Sequence, residues 1–132
     1  MSKLNKKFSK CAYTLEIVSG EKRVYEKIDG FWTDAEYSIY ANSYTNDLAS
    51  DIKRMGKWVK IIDMKDYKTS TVVDLISEHI KWCKNNGLEK CLLVVGQAIT
   101  KLQMTRSTKD VVPNEYFETI DEAKAYAKSL GY

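Results

Sequence analysis

The sequence contains few of the residues that build disulfide-bonded, metal-bound or fibrous proteins. A single proline, Pro113, and six glycines are too few for a fibrous or loop-rich chain. Three cysteines, Cys11, Cys83 and Cys91, are odd in number and widely spaced, which argues against a disulfide framework, and we expect Cys83 and Cys91 in the core. There is no C-x-x-C pair, and the one histidine, His79, has no cysteine at zinc-finger spacing. The sequence therefore predicts neither a metal site nor a cofactor.

Long apolar runs are also missing. No run approaches the roughly 20 residues that a membrane helix needs. The charged residues 1–10 are not followed by the apolar segment of a signal peptide. We therefore expect a cytoplasmic protein without a membrane span. With 132 residues, 44% of them hydrophobic and 30% charged, the chain is long enough for one globular domain with a real core.

The positive charge is concentrated at the start of the chain. The net charge is +3, and Lys3, Lys6, Lys7 and Lys10 lie among ten residues that include no acid. Without these four lysines the chain carries one more acidic than basic residue, so no basic face for nucleic acid is indicated on the folded body. We expect residues 1–10 to be a solvated, frayed tail and residues 11–132 to be the domain.

The hydrophobic pattern predicts an α/β fold. Two alternating segments around a Gly20 turn are typical of a β-hairpin, and apolar runs separated by helical stripes follow it. Since strands separated by helices need crossovers, we expect a mixed, mostly parallel sheet of about five strands flanked by helices. The predicted strands are residues 12–18, 23–29, 57–63, 88–95 and 116–117, and the predicted helices are residues 34–55, 71–85, 97–109 and 120–130.

Several details of these helices can be tested. Thr33 with Glu36, Thr71 with Asp74, and Thr119 with Glu122 match the spacing of capping boxes. The first helix carries a single stripe of Tyr37, Ala41, Tyr44, Leu48 and Ile52. The helix at residues 97–109 is the weakest, with Ile99, Leu102 and Arg106 on one face.

With its elements in this order, the chain resembles the SpoIIAA-like fold that bacterial STAS domains share. The resemblance covers residues 12–130, and it depends on the element order, on the apolar strand that ends at Asp63, and on segment 116–123, YFETIDEA. That segment is similar to the F-x-x-x-x-E-A ending of small uncharacterised STAS/SEC14-like proteins. The resemblance implies a non-catalytic regulatory module that binds a protein partner or a second copy of itself.

The loop after the strand at residues 57–63 is the first candidate site. In open α/β sheets, ligands lie outside the carboxyl ends of the strands, beside helix N-termini. This places Asp63, Asp66, Thr69, Ser70 and Thr71 at a partner or switch loop. In regulatory STAS proteins a serine at this position is phosphorylated; here the D-S-S-G motif is absent, and Ser70 or Thr71 also suits a simple N-cap. Asp63 and Asp66 could bind Mg²⁺, although solvated loop charges explain them as well.

A second candidate is an aromatic cluster. Phe31, Trp32 and Tyr40 could form an apolar ligand pocket or an interface, although the need of a small domain for large core side chains explains most of the aromatic residues here as well. A binding protein for a small apolar or lipid-like ligand is therefore the second functional hypothesis. The third is a hydrolase-type enzyme that uses Asp63, Ser70 or His79, and no catalytic motif supports it.

Overall fold

Seven strands form one mixed sheet in the computed structural model, which describes residues 2–68 and 70–132. The strand order is β1-β2-β3-β4-β6-β7, and the short β5 pairs with the end of β3. The strands are β1 Ser2–Lys7, β2 Cys11–Ile17, β3 Arg23–Phe31, β4 Trp58–Met64, β5 Tyr67–Lys68, β6 Leu88–Val95 and β7 Asn114–Phe117.

Helices cover both faces of the sheet unequally. The larger core joins one face to α1, α2, α3 and α4, while α5 covers part of the other face through Ala123 and Ala127. No helix of the described residues is long and apolar enough to cross a bilayer. The helices are α1 Asp34–Ser43, α2 Ala49–Met55, α3 Val73–Asn85, α4 Ala98–Thr108 and α5 Ile120–Ser129.

The α/β architecture is confirmed, and the expected number of strands was too low. Strands β3, β4, β6 and β7 are parallel neighbours, whereas β1, β2 and β3 pair antiparallel. The two unexpected strands are β1 and β5. Residues 2–7, expected to fray, pair with β2 along their whole length, because Leu4 contributes an apolar side chain to the larger core.

The long first helix is interrupted rather than regular. Residues Tyr44–Leu48 form a π-helical turn between α1 and α2, and such turns inside α-helices are frequent at functional sites. Of the predicted stripe, Tyr37, Tyr44, Leu48 and Ile52 are buried as expected, while Ala41 is half-buried and Tyr40 joins the core.

Helix α4 turns the face that carries Ile99 and Leu102 outward. Ile99 and Leu102 are 57% and 50% exposed, whereas most of the inward side chains are polar. Inward hydroxyls are accommodated because they bond to the helix's own carbonyls: Ser107 donates to the Gln103 oxygen at 2.8 Å, and Thr108 to the Met104 oxygen at 2.9 Å. The buried residues of α4 are Thr100, Gln103, Met104, Ser107 and Thr108.

Of the three predicted capping boxes, only the one at α5 forms its N-cap hydrogen bond. At α5, the Thr119 hydroxyl accepts from the Glu122 N–H at 3.2 Å. At α1, Thr33 occupies the N-cap position, but its hydroxyl bonds to the Glu36 carboxylate and not to a backbone N–H. Helix α3 begins at Val73 without a hydroxyl cap.

Candidate functional site

The predicted switch loop lies at the carboxyl end of the sheet. We call residues 65–72 the β4–α3 loop. Its start is fixed by backbone contacts, because the Lys65 N–H donates to Asp63 Oδ1 at 3.1 Å and the Gly30 N–H donates to the Asp66 carbonyl at 2.9 Å. Thr69 lies outside the described residues, and Thr71 is exposed.

Ser70 joins this loop to the end of β3. It is only 4% exposed, and its hydroxyl accepts from the Trp32 N–H at 2.9 Å while donating to the Lys68 carbonyl at 2.8 Å. Its carbonyl accepts from the Gln103 amide of α4. A kinase could reach this hydroxyl only after both of its hydrogen bonds had broken.

Asp29 lies within electrostatic reach of Asp63 and Asp66 at this edge of the sheet. Burial raises the pKa of Asp29; Lys27 opposes that rise, and Asp66 and Asp63 add to it. In the folded chain Asp29 is therefore a third carboxylate near Asp63 and Asp66, although it is distant from them in sequence. Even so, no three acidic, histidine or cysteine side chains in the described part of the chain are arranged to hold a metal ion.

The aromatic residues Phe31, Trp32 and Tyr40 do not share one surface. Phe31 is 39% exposed, whereas Trp32 and Tyr40 pack edge-to-face in the core with ring centroids 5.9 Å apart. A cavity of about 30 Å³ adjoins these two buried rings. That volume holds one or two water molecules and is far too small for a lipid-like ligand.

A buried ionic cluster, absent from the sequence-based predictions, lies beside this cavity. Lys60 of β4 is wholly buried, and its ammonium reaches Glu26 Oε2 at 2.9 Å, the Tyr40 hydroxyl at 3.1 Å and His79 Nε2 at 2.6 Å. An ammonium has three N–H donors, so these three acceptors satisfy it completely. The Tyr44 ring adds a cation–π contact, with its centroid 4.3 Å from the nitrogen.

Glu26 of β3 is equally well satisfied. The Tyr40 hydroxyl donates to its carboxylate at 2.7–2.8 Å, and the Tyr44 hydroxyl donates to Oε2. Burial, followed by the charge of Glu26, raises the pKa of both tyrosines well above the usual range. Tyr40 and Tyr44 therefore remain neutral donors, as a buried carboxylate requires.

Lys60 is held in its charged form. Burial lowers the pKa of this amine, but interactions with Cys83 and Glu26 raise it by more, and the net pKa lies above the ordinary value. Because burial raises the pKa of Cys83 to about 12, that thiol is uncharged at pH 7. Glu26 is therefore the counter-ion that matters under physiological conditions.

His79 is the neutral member of the cluster. Burial, and then the charge of Lys60, lower the pKa of His79 well below its ordinary 6.5. Because Nε2 accepts from Lys60, the ring proton is assigned to Nδ1. Protonating Nε2 would bring a second cation against Lys60.

These properties make the cluster a structural contact inside the fold. A protonated, fully bonded amine is no nucleophile, and an imidazole whose Nε2 already accepts a hydrogen bond from an ammonium is a poor base. The five side chains come from β3, α1, the π-helical turn, β4 and α3, so the cluster ties the helical layer to the sheet. Of the residues considered for catalysis, Ser70 and Asp63 have hydrogen bonds elsewhere, within the β4–α3 loop and at the end of β3.

Two features of the sequence could have indicated this cluster. Alternation places Lys60 on the same strand face as the buried Trp58 and Ile62, a position where an apolar side chain is expected. Glu26 occupies the corresponding face of β3, between Val24 and Ile28. Two oppositely charged residues at core positions of separate strands indicate a buried ion pair.

Comparison of the chain with models of known protein families gave no match, and comparison with curated proteins gave no match either. The SpoIIAA-like resemblance therefore remains a prediction, and the geometry alone has to support a function.

The buried ion pair predicts strong energetic coupling. Changing Lys60→Met or Glu26→Gln alone should lower the free energy of unfolding by about 3–5 kcal/mol, because each change leaves a charge or donors uncompensated in the core. The double variant should lose clearly less than the sum of the two. Urea denaturation measures all four free energies. The half-exposed pair Lys27–Asp29, 3.7 Å apart, is the control, and its coupling should stay below about 1 kcal/mol.

His79 predicts acid sensitivity. Its pKa is lower in the folded than in the unfolded chain, so the unfolded state binds more protons as pH falls below about 6.5. The free energy of unfolding should then fall by up to about 1.4 kcal/mol per pH unit, until the folded state's own pKa is reached. His79→Gln keeps an acceptor for Lys60 and should lose this slope. Identical pH profiles for the two proteins would contradict the assignment.

The hydrogen bonds of Ser70 should contribute to the stability of the fold. Ser70→Ala should lower the free energy of unfolding by about 1–3 kcal/mol, because the buried Trp32 N–H loses its acceptor. Thr71→Ala is the neighbouring control and should change stability by less than about 0.5 kcal/mol, because Thr71 is exposed. Equal effects in the two variants would show that the Ser70 contact contributes little.

Proposed function

We propose that this chain is a non-enzymatic, cytoplasmic regulatory module of STAS-like type, which works by binding a protein partner. The observation that carries the proposal is the orientation of α4, which exposes Ile99 and Leu102 while it buries polar side chains. A helix with this pattern gives up core contacts that its apolar residues could have made. Exposed apolar residues grouped on one helix face are typical of interaction sites.

This surface adjoins the β4–α3 loop. The Tyr67 hydroxyl donates to Gln103 Oε1 at 2.7 Å, and the Gln103 amide donates to the Ser70 carbonyl, so α4 and the loop are joined by hydrogen bonds. A partner that binds α4 would therefore also meet the exposed Lys68 and Asp66. The regulatory role of this region in STAS-like proteins supports the same location.

Charge indicates what kind of partner would fit. We call Ile99, Lys101, Leu102 and Arg106 the α4 surface; residues 98–108 include no acid. A second copy using the same surface would bring basic side chains together, which disfavours a symmetric dimer here. A partner segment that combines apolar side chains with carboxylates fits better, and an amphipathic acidic helix is the simplest example.

The test is selection from a phage-displayed library of helical peptides. Peptides enriched on the wild-type protein should carry Asp or Glu together with apolar residues at helical spacing. Ile99→Ser combined with Leu102→Ser should weaken their binding by at least about tenfold, which corresponds to about 1.4 kcal/mol.

Leu130→Ser is the matched control for Leu102→Ser, because it removes the same residue type from another exposed position, 44% accessible. This change should leave peptide affinity unchanged. The proposal fails if no peptide is enriched above background, or if the α4 double variant binds as tightly as the wild type.

A further inference from the structure

The outer edge of the sheet is a second surface, separate from α4. Strand β1 pairs only with β2, and no strand in the described part of the chain lies beyond it. Since a strand at an edge leaves alternate N–H and C=O groups unpaired, β1 can accept another extended segment.

The pairing pattern identifies those groups. The Phe8 N–H donates to the Cys11 carbonyl at 2.8 Å, so Phe8 and Cys11 are a hydrogen-bonded pair. The antiparallel register continues from there, and the backbone groups of Leu4 and Lys6 therefore point to β2. The backbone groups of the residues between them point away from the sheet; these residues are Lys3, Asn5 and Lys7.

The two faces beside this edge differ in character. The side chains of Lys3, Asn5 and Lys7 extend on the face opposite the main helical layer. On the neighbouring strand β2, Glu16 lies opposite Lys3, and Ala12, which has no charge, lies opposite Lys7. All three side chains are exposed.

On the helical face, Leu4 and the exposed Ile39 line a groove of about 380 Å³ between β1 and α1. Lys6 and Asp47 also line this groove, so its charged side chains have opposite signs and favour neither sign in a ligand. An added strand would thus meet lysines on one face, and on the other a mostly polar groove that contains two aliphatic side chains, Leu4 and Ile39.

We propose that the β1 edge binds an extended acidic peptide segment as an additional strand. Its alternate side chains are acidic where they face Lys3 and Lys7, and apolar where they face Leu4 and Ile39. A second copy of the chain is disfavoured, because two β1 edges would bring lysines together. The lysines that protect this edge from self-association thus select an acidic segment.

The probe is a synthetic peptide of about eight residues in which Glu and Val alternate, the length of an ordinary strand. A peptide of the same composition with Glu and Val in blocks is the comparison. Titration is followed by fluorescence anisotropy, and amide hydrogen exchange is measured with and without peptide. We expect the alternating peptide to bind, and exchange of the Lys3, Asn5 and Lys7 amides to slow. The amides of Leu4 and Lys6 should be protected throughout.

Two pairs of variants separate strand addition from simple charge attraction. Asn5→Pro removes an outward N–H without removing a bond to β2 and should weaken binding by at least about tenfold, whereas Asn5→Thr keeps that N–H and should not. Protected Leu4 and Lys6 amides verify that β1 is intact in the proline variant.

Lys3→Gln with Lys7→Gln should also weaken binding, whereas Lys53→Gln with Lys81→Gln, the same change of charge at exposed positions elsewhere, should not.

Three results would overturn the proposal. One is no binding at peptide concentrations up to about 1 mM. Another is equal binding of the alternating and block peptides, together with competition by oligothymidylate, a polyanion without amino-acid side chains. That result would indicate that the edge binds anions in general. The third is unchanged affinity in Asn5→Pro. None of these results depends on the α4 surface, so the two proposals succeed or fail separately.

Discussion

The buried ammonium of Lys60 is the constraint on which this fold depends. A charge at that depth is tolerated only with a complete set of acceptors, and they come from Glu26, Tyr40 and His79. Each acceptor lies on a different element, so α1, α3, β3 and β4 must all be in place before the charge is satisfied. The cluster thereby couples the helical layer to the sheet more specifically than apolar contacts alone would do.

This arrangement also limits what the core can do. Aromatic rings surround the cluster, and the remaining space holds at most one or two water molecules. The polar groups satisfy one another, which leaves none of them free for a substrate. Two surfaces remain available for binding: α4 exposes apolar side chains, and β1 exposes backbone groups.

The two proposed surfaces lie in different regions of the fold. The α4 surface lies beside the β4–α3 loop, at the carboxyl ends of the parallel strands, and the β1 edge belongs to the antiparallel part. Both carry lysine or arginine next to apolar residues, although the body of the chain is near neutral.

The sequence by itself determined the alternation of strands and helices, the parallel core of the sheet and the buried faces of its strongest elements. Apolar periodicity records these features locally, as in the run at β6 and the stripe from Tyr37 to Ile52. Tertiary structure decided whatever depends on partners distant in sequence. Residues 2–7, expected to be part of a frayed tail, join the sheet as Leu4 packs against the larger core. Ser70 bonds to Trp32 instead of capping a helix. Helix α4 turns Gln103 inward, where its side chain accepts from the Tyr67 hydroxyl, 36 positions away, at 2.7 Å. Lys60 becomes a core residue because Glu26, 34 positions away, supplies its counter-charge.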